Sequence, residues 1–257
     1  MISKLRKKYM LLCGVLLAGM AGASNSAMTI TLDDAISVVE TQNLAKNNYP
    51  IKTSKQEWSQ LKDHQAMIDK AQIAKENLGK LTTKELIELS LDYPLFDDVL
   101  AHNSIQSGFE QVVRNFNGLQ DLLSRDDAAQ ELVKKYKKLE VNLKRVNLSA
   151  EDQVNVSSKI RRLEWILAQD AIVDRLSLNE QKLLSKLALR NIKNKQLDKE
   201  LYGSLGYESS ALVLGKSLMR TNKDALSSTT QELLVSGNGA VAEVIPEIIT
   251  VGEMANK

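Results

Sequence analysis

The stretch from Leu81 to Gly118 constrains the fold more than any other part of the chain. Its last third repeats apolar residues at Ile105, Phe109, Val112, Val113 and Phe116, spaced i, i+4, i+7, i+8, i+11, which places all five on one face of a helix. Ahead of it, Thr82 and Glu85 have the spacing of a capping box. They open a short helix carrying Leu86, Ile87, Leu89 and Leu91. Asp92-Tyr93-Pro94 closes that helix, because Pro94 pushes Tyr93 out of the helical region. Pro94 is itself suited to the first position of a second short helix, with Leu95, Phe96, Val99 and Leu100 as its buried face. Asn117-Gly118 predicts a left-handed C-terminal cap. All three Phe of the protein lie in this stretch, so it is expected to hold the centre of the core.

The rest of the 257 residues favours the same fold class. Gly (12) and Pro (3) are scarce, and good helix formers fill most positions, so the chain reads as all-α, an irregular multi-helix bundle or short helical array. Thr31 reads as the N-cap of a helix running to Asn48, and a second helix is expected from about Ser54 to Leu78, lying partly on the surface. After Ser124, a helix bearing Leu132, Tyr136, Leu139, Leu143 and Val146 has 4-3-4-3 spacing. That seam covers about two heptads, so a core-facing helix of a monomer is expected rather than a coiled-coil dimer. Ser149 to Asp152 and Ser177 to Glu180 predict two further helix starts. The first of these helices carries apolar residues from Val154 to Ile172, the second Leu183 to Ile192. Gly203 to Gly206 reads as a loop, and Ala211, Leu214, Gly215 and Leu218 form a face able to approach a neighbour closely at Gly215. About eight to ten helices are expected over residues 24–222. Residues 223–257 are expected to be a β-prone or mobile tail, because Leu233 to Val235 and Ala240 to Ile245 flank the hairpin signal Ser236-Gly237-Asn238-Gly239.

Residues 1–23 have the pattern of a cleaved signal peptide. Lys4, Arg6, Lys7 and Lys8 precede an apolar run from Met10 to Met20, with small residues at 21–23. The run is short for a membrane span. The expected location is therefore periplasmic or extracellular, with no transmembrane helix in the mature chain. Cys13, the one cysteine, lies inside the run behind Leu12, where it reads as signal core rather than a lipid-attachment site. Of 34 Lys and Arg, four fall in residues 1–23; the remaining 30 against 32 acidic residues leave a net charge of −2. Nucleic acid is thus not an expected partner.

At Leu81 to Leu86 (LTTKEL), Leu91 to Asn103 (LDYPLFDDVLAHN), Phe116 to Gly118 (FNG) and Leu122 to Ala129 (LLSRDDAA), the chain resembles a group of exported helical proteins of Bacteroidetes-type bacteria without assigned activity. The likeness extends more loosely to about Arg220. It implies an envelope or extracellular location and a helical fold, and carries over no catalytic residue. Some such proteins continue into a region with a Cys/His motif; these residues include none, so no activity housed there is transferred.

Chemical candidates are sparse. Asp98 and His102, spaced i, i+4 with Asp97 beside them, are the catalytic or metal-binding candidates, His64 being the other histidine; the alternative is a polar helix end. A metal site needs three or more ligands, and no metal or cofactor is expected. Asp97-Asp98 and Asp126-Asp127 suit helix starts. No Gly-rich phosphate loop or nucleophile elbow is present. Trp58 and Trp165 read as packing residues or as anchors for a partner. Asn147-Leu148-Ser149 and Asn155-Val156-Ser157 match a glycosylation pattern, meaningful only in a eukaryotic source. The expectation is a non-enzymatic interaction module for an unknown protein or envelope component. The alternative is a hydrolase acting on envelope or polysaccharide material through a carboxylate pair.

Overall fold

A computed structural model describes residues 55–139, 141, 143, 148–237 and 241–256. The signal-like segment, Cys13, the helix expected from Thr31 to Asn48, Asn147 and the seam residue Val146 lie outside them. Among the described residues there are thirteen α-helices, two 3-10 helices and no strand.

Helices α1 (Lys55–Ser59), α2 (His64–Lys70) and α3 (Lys75–Leu78) replace the single helix expected up to Leu78. Two local competitors break it. Asp63 adopts an extended conformation and its carboxylate accepts from Ala66 N, restarting the helix. At 72–73 the chain is drawn sideways onto Asn117, whose side chain accepts from Ile73 N (3.0 Å) and donates to Ile73 O (2.7 Å). Gln72 completes the clamp, accepting from Asn117 N and donating to Asn115 O.

The capping box of Thr82 and Glu85 forms as read, opening α4 (Thr83–Leu91). A 3-10 helix, Phe96–Ala101, follows the Tyr93-Pro94 corner, then α5 (Ile105–Asn115) and α6 (Asn117–Ser124). Asn117 is not a C-cap. Phe116 is the extended residue between α5 and α6, and Asn117 opens α6 because its side chain is committed to Ile73. Tyr93 stacks on Phe116 with ring centroids 4.1 Å apart, and Phe96, Phe109 and Phe116 are all buried.

Helix α7 (Ala128–Lys138) stops before the expected seam is complete. Leu139 is already extended, so Leu132 and Tyr136 share a helix that Leu143 does not. Then come α8 (Ala150–Leu167), α9 (Asp170–Val173), α10 (Leu178–Gln196) and α11 (Lys199–Thr221). Ser149 caps α8, and Ser177 with Glu180 forms the box that opens α10. Val154, expected on the apolar face of α8, is exposed. The supposed loop at 203–206 is a kink inside α11, where Gly203 has φ 57°, ψ −168°, a region open essentially to glycine alone. Fragmentation of the second helix and separation of α9 from α8 bring the α-helices between residues 55 and 222 to eleven, more than expected.

Helix α11 is the axis of the described fold. Ser209 to Leu218 are ten consecutive buried residues, the pattern of a helix enclosed on all sides. It packs against α8, α9, α10, α12 and α13. Its Gly215 meets Leu234 so closely that an added Cβ would lie 2.4 Å from Leu234 Cδ2, the near approach anticipated for this residue.

The C-terminal region overturns the β-prone reading. Residues 228–236 form α12 (Ser228–Ser236) and residues 241–255 form α13 (Val241–Ala255). The β-branched residues Val241, Ile245, Ile248 and Val251 recur at three- and four-residue spacing, and burial of that face outweighs their strand preference. Gly237, at φ 59°, serves as the left-handed cap of α12 rather than a hairpin turn. Leu234, Ile245, Ile248 and Val251 belong to the same core cluster as Phe96 and Trp165, so that core continues past residue 222.

Candidate functional site

The sequence candidates separate on folding. Asp98 pairs with His64, Oδ2 to Nε2 3.0 Å, tying α2 to the 3-10 helix. His102 is exposed and caps that helix in an extended conformation. The expected shared face assumed α geometry. In a 3-10 helix three residues make a turn, so positions four apart point about 120° away from each other. Asp97 belongs to a different set: Arg162 Nη2 lies 2.8 Å from Asp97 Oδ2 and Arg161 Nη2 3.4 Å from Oδ1. Burial raises the Asp97 pKa, but the hydrogen bonds and charge of Arg162, aided by Arg161, bring it below the usual carboxylate value.

These arginines explain the Leu91 to Asp98 corner. Arg162 also donates to Leu91 O (2.8 Å), satisfying a carbonyl freed where α4 ends, and its guanidinium lies 5.6 Å from the centre of the Phe96 ring. Lys159 pairs with Asp92 at 2.5 Å. Helix α8 thereby holds both sides of the corner. The Tyr93 hydroxyl is buried without a hydrogen-bond partner, and burial together with the charge of Asp98 raises its pKa. Among the described residues, no three His, Cys, Asp or Glu side chains are grouped to hold a metal ion.

The densest polar chemistry lies where no candidate was placed. Glu164 on α8 and Lys195 on α10 form an ion pair with both side chains 0% exposed, Oε2 to Nζ 2.5 Å. Tyr136 of α7 and Ser210 of α11 donate hydroxyls to Glu164 Oε1 at 2.8 and 2.6 Å, and Ser209 donates to Oε2. Lys195 makes a second bond to Gly206 O at 2.7 Å, and its ammonium lies 5.3 Å from the centre of the Tyr202 ring. Four helices thus meet at one carboxylate. Burial pulls the Lys195 pKa below its ordinary value, an effect that Glu164 offsets in part. Burial first, then the charge of Glu164, raises that of Tyr136. A carboxylate that receives four donors inside a sealed core orients helices.

A signal for this network was present. Glu164 lies four residues after Ile160 and three before Leu167, and Lys195 lies seven after Ala188 and three after Ile192. Opposite charges on two apolar stripes imply that the stripes meet.

Beside the network a small crevice is bordered by α5, α8, α11, the cap of α12 and the start of α13; Ile105, Trp165, Leu205, Glu208, Ser209, Leu212, Gly237 and Val241 line it, with about 30 Å³ of space for the centres of water-sized groups. Glu208 is half-buried there, and the loss of water raises its pKa. Trp165 is fully packed, 1% exposed, in agreement with its reading as a core residue, and Trp58 rests half-buried against the core.

Compared with protein-family models, with curated proteins and with solved structures, the chain has no match in any of the three.

Proposed function

We propose that this protein is a non-enzymatic interaction module, acting on a protein or envelope component outside the cytoplasm. The observation that carries the reading is the outer face of α10. Leu178 and Leu197, at its two ends, are 55% and 67% exposed; Lys182 and Lys186 stand exposed between them, and Lys193 pairs with Glu253 at 2.7 Å. Over 19 residues this face is about 28 Å long. Large apolar side chains set among cations give a partner both apolar contact area and charge. The leader-like pattern of residues 1–23 and the resemblance carried by the Leu91 to Asn103 segment support the location.

The carboxylates, buried and exposed, support the same reading. Glu164 is sealed, and Asp97, Asp170 and Asp174 are each taken up by arginine or lysine. A hydrolase acting through two carboxylates would need both to face one open cleft. The test is a pull-down from envelope extract with the wild type and with a Leu178→Asp, Leu197→Asp double variant. The wild type is expected to retain a component that the variant loses at unchanged melting temperature. Equal retention by both, or none by either, would count against the reading.

A further inference from the structure

Glu208 is an anomaly among the carboxylates. Among the described residues every other buried or half-buried Asp or Glu has a partner: Glu85 has Thr82, Glu88 has Lys135, Asp92 has Lys159, Asp98 has His64, Asp121 has Arg125, Glu131 has Lys134 and Glu247 has Ser227. The same holds for Asp97, Glu164, Asp198 and Glu180, the last bonded by Ser177. Glu208 alone has neither an ion pair nor a hydrogen bond, although it borders a crevice with apolar walls. A carboxylate that gives up water without gaining a donor is held at a cost, which a cation entering the crevice would relieve.

We propose that the crevice beside Glu208 binds a primary alkylammonium group, with Glu208 as its carboxylate and Trp165, Ile105, Leu205 and Leu212 as its apolar walls. One unpartnered carboxylate among apolar walls selects this class: N–H donors at the head and an apolar stem. About 30 Å³ of space open to the centres of water-sized groups admits an ammonium head, with the alkyl stem against the apolar walls. A quaternary ammonium group has no N–H with which to donate to the carboxylate. Arg161 covers the Trp165 ring at 5.2 Å, so the site rests on the carboxylate rather than on a free aromatic face. The crevice stands whether or not the outer face of α10 binds a partner.

The experiment follows Trp165 emission in a Trp58→Phe background while propylammonium chloride is added, with n-propanol and tetramethylammonium as controls of charge and of N–H donation. Saturable binding of propylammonium alone is expected, and Glu208→Gln is expected to weaken it at least tenfold. Because Glu208 holds no partner, that variant should melt no lower than its parent, which separates lost binding from lost folding. A parallel titration with Nα-acetyl-lysine methylamide distinguishes the sources: tighter binding than propylammonium points to a lysine side chain of a polypeptide, weaker binding to a free amine. Equal responses to propanol and propylammonium, or undiminished binding by Glu208→Gln, would overturn the proposal.

Discussion

At the scale of single residues, the pairs that matter most are those that join distant parts of the chain. Removing one member of a buried ion pair leaves the other charge without compensation, at a cost of about 3–5 kcal/mol. Lys195→Met should therefore lower unfolding stability in urea by about that amount. Glu164→Gln keeps an acceptor for Tyr136 and Ser210 and should cost less, and the double variant should cost less than the two singles added together, because each single orphans the other partner. Asp97 has the opposite surroundings. Its folded pKa lies below the unfolded value of about 3.9, so the pair with Arg162 contributes stability above that pH and loses it as pH falls through the lowered folded value. Wild type and Asp97→Asn should consequently differ in melting temperature at neutral pH and converge under acid.

Among the elements, α11 has two glycines that do different work. An Ala at 203 has open space around it, yet φ 57° with ψ −168° is strained for any L side chain, so Gly203→Ala should cost about 1–3 kcal/mol in a urea titration. Gly215→Ala keeps a comfortable helical backbone and instead drives a methyl into Leu234, so its penalty should shrink when Leu234 is shortened to Ala in the same chain. Much of this level was legible in sequence. The Thr82 and Ser177 boxes, the face from Ile105 to Phe116 and the corner at Tyr93-Pro94 were readable because local spacing and propensity decide them. The illegible parts were decided from a distance. Nothing within residues 71–74 announces Asn117, some 44 residues on, and nothing in the Val- and Ile-rich C-terminal run states that a buried groove beside α11 will hold it as helix. Asp98 and His102 failed for a local reason: a 3-10 segment turns faster than the α-helix assumed for them. Glu164 and Lys195 were visible only as a pair, and each looked like an ordinary charge when its own helix was read alone.

For the whole molecule, one core cluster links residues from Ala71 to Val251, and none of the described helices is long and apolar enough to cross a membrane. Since α7 ends at Lys138, the seam that would have zipped two copies together is cut short, and light scattering should return the mass of a monomer. The start of α12 has a wider consequence. Glu247, on α13, accepts from Ser227 N, Ser227 Oγ and Thr230 Oγ1, so the first turn of one helix is held by a carboxylate from the next. Such a shared cap makes the two helices a single cooperative unit. Amide hydrogen exchange should show α12 and α13 opening together, and Glu247→Ala should quicken exchange at the start of α12, some twenty residues before the substitution.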